Sequence, residues 1–197
     1  MKTKPDILLI GGGGHCHSVI DVIEQENKYN IAGIIDKKEL LNNNILNYKV
    51  IGSDNNLKDL HKLYKYAFIT IGHIYSNSTR IKLYNTLKDI GYILPTIISP
   101  NSYISKHSNI QEGTVIMHHA LVNANTTIGK NCIINTKALI EHDVKIEDNC
   151  HISTGSILNG GVTIKENTFI GSNSVIKEYT EVSGFIKAGV LFKWVFL

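Results

Sequence analysis

The residues best suited to do chemistry lie in one short stretch, Glu141-His142-Asp143, with His151 nine residues beyond His142. A neutral imidazole near pH 7 accepts a proton from an amine or a hydroxyl. A carboxylate bonded to its other ring nitrogen would fix the tautomer and raise basicity. Strand alternation would put Glu141 and Asp143 on one side and His142 on the other, unless the chain turns a corner there. A second feature is the run Gly11–Gly14, which lies between an apolar stretch and a helical pattern. Backbone amides there, with a helix N-terminus, suit phosphate. The dinucleotide fingerprint G-x-G-x-x-G fails, because its last position falls on Cys16 or His17. Asp36 stands where an acidic residue would meet a ribose hydroxyl. His118 and His119 read as neighbours on alternate sides of a strand, with a structural or surface role. No Cys or carboxylate set has metal-ligand spacing, so no metal is expected.

These residues need elements to position them. Asp6–Ile10 (DILLI) is a continuous apolar run, as a buried parallel strand would be. A helix over 15–26 carries Val19, Ile20, Val22 and Ile23 on one face. Further strands are expected over 31–35 and 68–71, the latter followed by Gly72, and a helix over 80–89 with Gly91 beyond its end. The N-terminal half is therefore an α/β, Rossmann-like subdomain, assigned to residues 1–98, with right-handed crossovers.

From Ile104 the period changes. Stepping by six gives Ile104, Ile110, Ile116, Val122, Ile128, Ile134 and so on to Val182, and each of the fourteen positions is a branched aliphatic. Periods of about 2 and 3.6 produce no such series. Three short faces per coil, with one inward aliphatic each, close in eighteen residues. Residues 99–197 are thus expected to form an all-β parallel β-helix, with Ile104, Val122, Ile140, Leu158 and Ile176 in one column. Gly113, Asn131, Asn149 and Asn167 fall in one line, and these types tolerate left-handed backbone at a corner. Cys132 and Cys150, also eighteen apart, read as stacked small residues.

Coils of this type resemble the left-handed β-helix acyltransferases. The strand–GGGGH–helix opening, Asp36 and the segment Asn135–Gly161 (NTKALIEHDVKIEDNCHISTGSILNGG) further resemble the sialic-acid-cluster and bacillosamine-type sugar acetyltransferases. The resemblance implies an acetyl-CoA-dependent N-acetyltransferase acting on a nucleotide-linked 4-amino-deoxy sugar. It implies His142 as base and Asp143 as its partner. It places the nucleotide sugar near Gly13, Gly14, His15, Asp36 and Gly72, with His15 and Asn135 approaching the reacting sugar. His151, Gly160, Ser172 and Gly189 match positions lining the coenzyme, and the Gly160 N–H is matched to the thioester carbonyl. A glycine permits close approach, and its N–H can stabilise a developing oxyanion. His151 lies half a coil from His142, so one subunit alone could not bring them together. Three subunits around an axis could, which points to a homotrimer. Transfer would be direct, since no cysteine lies beside His142 as a covalent carrier. O-acetylation of a sugar hydroxyl, and a non-catalytic trimeric module, are the other readings. The family's closing segment is absent, and Trp194, Val195, Phe196 and Leu197 instead form an apolar tail that could cap the open coil.

Composition narrows the field. With 43% hydrophobic and 19% charged residues a packed core is expected, and a net charge of +3 without a basic run indicates no nucleic-acid partner. Three cysteines without a C-x-x-C pair suggest no disulfide framework. The apolar runs are too short for a signal peptide or a membrane span, so a cytoplasmic location is expected.

Overall fold

Asp6–Ile10 (β1) is an interior strand of the N-terminal sheet, as its apolar character on both faces requires: Ile7, Leu8, Leu9 and Ile10 are all buried. It pairs in parallel with Asn30–Ile35 (β2) and with Tyr66–Ile69 (β5). Between them Asn44–Ile45 (β3) and Tyr48–Gly52 (β4) form a hairpin whose second strand runs parallel to β2, giving the order β3-β4-β2-β1-β5. The hairpin lies in a stretch to which sequence pattern assigns no element. The helix Gly14–Glu26 (α1) buries Cys16, Val19, Ile20, Val22 and Ile23 and ends at a left-handed Asn27. After a short turn of helix, Leu57–Leu60 (α2), the helix Ser78–Ile90 (α3) buries Leu83 and Leu87. It also buries Arg80, whose guanidinium donates to the carbonyls of Ile69 and Ile71 at 2.8 and 2.9 Å. The strand expected over 68–71 begins and ends two residues earlier. At Thr70 the hydroxyl turns to the Gly11 carbonyl and the chain leaves the sheet.

The structure, a computed structural model, describes residues 4–192. It divides into one unit holding the residues up to 73 together with 78–95, and a second holding 74–77 and the chain from 96 onward. Ile97–Ile98 already pairs with Val115–Ile116, so the coil register extends one step before Ile104.

The second unit is a left-handed parallel β-helix of two-residue strands in three sheets. In each strand the second residue points inward and the first outward, as a period of two requires. The inward aliphatics of the three sheets stack in three columns that form one buried cluster from Ile116 to Val182. The first sheet holds Leu121–Val122, Leu139–Ile140, Ile157–Leu158 and Val175–Ile176 in exact eighteen-residue register. Corners are turned by left-handed residues, among them Gly113, Asn131, Asn149 and Asn167, with φ between 56° and 69°. Cys132 and Cys150 are buried free thiols inside the coil. Toward the end the repeat shortens. Phe169–Ile170 pairs with Phe185–Ile186, sixteen residues on, through the turn at Gly184. The tail Trp194, Val195, Phe196 and Leu197 lies outside the described residues. Among the described residues no helix is long and apolar enough to cross a membrane.

If the stacked column carries the stability of the second unit, Ile134→Ala, at a fully buried position, will cost about 2–5 kcal/mol and Ile134→Val only about 0.5–1.5. Urea unfolding of the two variants measures this, and equal small losses would mean that the column is not close-packed.

Candidate functional site

Three successive coils place three tripeptides over one another at the corner that leaves the first sheet. They are Asn123-Ala124-Asn125, Glu141-His142-Asp143 and Asn159-Gly160-Gly161. The backbone ties them together: the Asp143 N–H donates to Ala124 O at 3.1 Å and the Gly161 N–H to His142 O at 3.0 Å. The third residue of each is left-handed, with φ of 60° at Asn125, 61° at Asp143 and 70° at Gly161. Strand alternation therefore ends at His142, and the Asp143 side chain comes back to its neighbour. Asp143 Oδ2 lies 2.7 Å from His142 Nδ1. Glu141 takes no part in this pair, since its carboxylate accepts from Asn123 Nδ2 at 2.9 Å. Asp143 Oδ1 accepts from Asn125 Nδ2 at 2.6 Å.

The electrostatics follow from these bonds. The Asn125 amide and then the His142 ring hold the Asp143 carboxyl below the usual carboxylate range. An ionised carboxylate only accepts hydrogen bonds, so His142 Nδ1 is the donor and Nε2 keeps the lone pair. A depressed carboxyl pKa means that the contact is present at neutral pH and is lost only as pH falls through that lowered value. Both side chains are about half exposed, 54% for His142 and 51% for Asp143. The imidazole rests on Gly160. A Cβ there would stand 2.7 Å from His142 Cε1 and 2.9 Å from Nε2, so the ring's position requires glycine.

His151 sits elsewhere on the coil, at an outward strand position of the third sheet, and is buried. Its Nε2 lies 3.1 Å from Asn135 Nδ2, while Asn135 Oδ1 accepts the Thr136 N–H at 2.8 Å. Asn135 is thus brought to His151 rather than to His142. His151 meets Phe169 edge-on, with centroids 5.1 Å apart, and Phe185 stacks on Phe169 at 5.3 Å. Ser172 Oγ lies 2.9 Å from Ser153 Oγ. Gly189 turns a left-handed corner with open space around it. His118 and His119 do not alternate along a strand. They occupy a corner, His119 at φ 59°, with His118 Nδ1 2.7 Å from Ser99 Oγ. Among the described residues no three His, Cys, Asp or Glu side chains converge as a metal site.

In the N-terminal unit the four glycines divide into two pairs. A Cβ on Gly11 would strike Ile71 at 2.3 Å, and one on Gly12 would strike Ile45 at 2.0 Å, so these two are needed for packing. Gly13 and Gly14 face open space at the start of α1. Asp36 spans the turn, accepting the Gly12 and Lys37 N–H groups at 2.6 Å each. Gly72 lies against the His15 ring. Beyond the carboxyl ends of β1 and β2 opens a cavity of about 550 Å³, lined by Gly11, Asp36, Lys37, Lys38, Asp54 and Thr79 among others. Open parallel sheets bind ligands at such strand ends. Lys37, Lys38 and Asp54 escape a reading of the sequence because no periodic element frames them.

The sequence matches the PglD N-terminal domain family over residues 6–87, and the bacterial transferase hexapeptide (six repeats) family over residues 125–160 and 143–178. No curated protein gives a significant match. Among solved structures the chain is similar to a histidine-to-asparagine mutant of perosamine N-acetyltransferase from Caulobacter crescentus in complex with CoA and GDP-perosamine. The identity is 28% over 95% of this chain and 88% of that one, with a TM-score of 0.88. It is also similar to the acetyltransferase domain of PglB from Neisseria gonorrhoeae in complex with acetyl coenzyme A, at 25% identity over 95% and 90% of the two chains, with a TM-score of 0.87. Two family matches in chain order and one shared fold point the same way: the chain is similar to the hexapeptide-repeat, left-handed β-helix sugar acetyltransferases and carries a PglD-type N-terminal domain match.

Proposed function

We propose that this protein transfers the acetyl group of acetyl-CoA to the amine of a nucleotide-linked 4-amino-deoxy sugar, with His142 as general base. The observation that carries this is the His142–Asp143 pair, bonded at 2.7 Å through Nδ1, which leaves Nε2 to accept a proton. The perosamine N-acetyltransferase with CoA and GDP-perosamine bound supports the substrate class. The sugar amine attacks the thioester carbonyl while Nε2 takes its proton. The C–N bond forms, the C–S bond breaks, and the thiolate leaving group recovers the proton from the imidazolium. Asp143 stabilises that imidazolium. The Gly160 N–H, which makes no hydrogen bond among the described residues, is a suitable donor to the developing oxyanion. The open amides of Gly13 and Gly14, and the cavity beside Asp36 and Lys37, suit the nucleotide diphosphate.

The working form is a homotrimer in this reading. The outward positions of the first sheet are Tyr103, Leu121, Leu139, Ile157, Val175 and Leu191, an apolar stripe with Tyr103 61% and Leu191 54% exposed. Such a stripe on a sheet face favours burial against a second copy. The His142 corner directly follows this sheet, so a neighbour packed along the stripe would bring its own outward residues, His151 among them, toward that corner.

His142→Ala should lower kcat/KM about 10²–10⁴-fold, with an unchanged unfolding midpoint because the ring is half exposed. The assay follows thiol release from acetyl-CoA with UDP-, GDP- and dTDP-linked amino sugars and their hydroxyl counterparts. Full turnover by the variant would sink the assignment of the base, and acetylation of hydroxyl sugars alone would sink the assignment of the amine. Gly160→Ala is expected to fold, to push the imidazole off Asp143 and to lower kcat roughly 10-fold or more with little change in KM. A crystal structure of the variant with the His142 ring unmoved would contradict this. Ile157→Asp should yield monomers on analytical ultracentrifugation, with coil circular dichroism retained and turnover lost. An active monomer would remove the need for a shared cleft.

A further inference from the structure

His142 depends on a carboxylate that little else restrains. Asp143 is half exposed at a left-handed corner, with no core packing to select its rotamer. Its two oxygens have separate partners: Oδ2 meets His142 Nδ1 at 2.7 Å and Oδ1 meets Asn125 Nδ2 at 2.6 Å. A carboxylate with one anchor rotates about that bond. With two anchors on opposite oxygens its plane is set, and with it the direction of the acceptor lone pair facing the imidazole. Asn125 stands eighteen residues before Asp143, at the same corner of the preceding coil, so the two side chains are stacked by the coil spacing itself.

The corner alone does not call for asparagine. Gly161 and Tyr179 occupy the same left-handed position in later coils, so what Asn125 adds is its side-chain donor.

We propose that Asn125 is a positioning residue for the transfer, acting through Asp143 on His142 in a relay that runs along one column of corners. The relay rests on the function proposed above. The Asn125 amide is also the first cause that keeps the Asp143 carboxyl below its usual range. The amide orientation follows from charge: an ionised carboxylate accepts only, so the NH₂ end of Asn125 must face it.

Asn125→Gly removes the donor and keeps a residue that the corner accepts. In the full-length enzyme kcat should fall about 10-fold, with KM for both substrates within about 2-fold and the unfolding midpoint close to the parent's. Added to Asp143→Ala, the same substitution should change kcat no further, because its effect passes through the missing carboxylate. Asn125→Asp, which keeps the size and sets two carboxylates face to face, should be slower than Asn125→Gly. A readout independent of turnover is the ¹³C NMR titration of the Asp143 carboxyl, which should move to higher pH in Asn125→Gly. Parental kcat in Asn125→Gly, multiplicative losses in the double variant, or an unmoved Asp143 titration would each overturn the relay. His142→Ala separates the two ideas. If it is inactive while Asn125→Gly matches the parent, the relay alone fails; if it keeps full turnover, the proposed chemistry fails and the relay with it.

Discussion

The stacking of one coil on the next, at an interval of eighteen residues, is the constraint from which the rest of the C-terminal unit follows. Each strand contributes only two residues, too few to hold a sheet by itself. Stability comes from the vertical direction, where parallel ladders and columns of branched aliphatics repeat the same contact from Ile116 through Val182. Because each inward residue must meet its copy in the coils before and after, insertion or loss of a residue displaces every side chain beyond it. The chain tolerates such a change near its end, where Phe169 pairs with Phe185 sixteen residues on.

The same interval builds the His142 corner. His142 needs a small neighbour on one side and an anchored carboxylate on the other. Gly160, one coil later, supplies the space, and Asn125, one coil earlier, supplies the anchor. A parallel coil achieves this cheaply in conformational terms, since residues far apart in sequence are held at the strand spacing of about 4.8 Å by structure that already exists. The left-handed φ of Asp143 matters as much as its charge. An extended residue there would send the carboxylate to the face opposite His142. A long loop could place the same groups, but it would not hold the carboxylate plane.

The N-terminal unit solves a different problem with different means. Gly11 and Gly12 are consumed by packing against Ile71 and Ile45, while Asp36 fastens the turn through two backbone N–H groups. Only Gly13 and Gly14 are left to face outward. A run of four glycines thus combines two roles, close backbone approach and an open set of amides at a helix start. Buried Arg80 ties the carbonyls of Ile69 and Ile71, which steadies the strand end against which that turn packs.

Much of this could be read directly from the residues. The six-residue register, the three inward columns and the Gly113–Asn131–Asn149–Asn167 corner line are legible because each position imposes the same local demand, an inward aliphatic or a tolerance of positive φ. The stretch between β2 and β5 was not legible: the pairing of β4 with β2 depends on contacts distant in sequence, and no period marks them. The buried Arg80 was hidden likewise, since its partners are backbone carbonyls that carry no residue code. For the site itself, sequence alone determined that a histidine flanked by two acids would stand on a stacked coil. The resemblance points to Asp143 as its partner, but the physical reason for one acid over the other is visible only in the tertiary structure. Glu141 and Asp143 are equivalent as neighbours along the chain, and they become different once Asn123 engages one and Asn125 braces the other from the coil before.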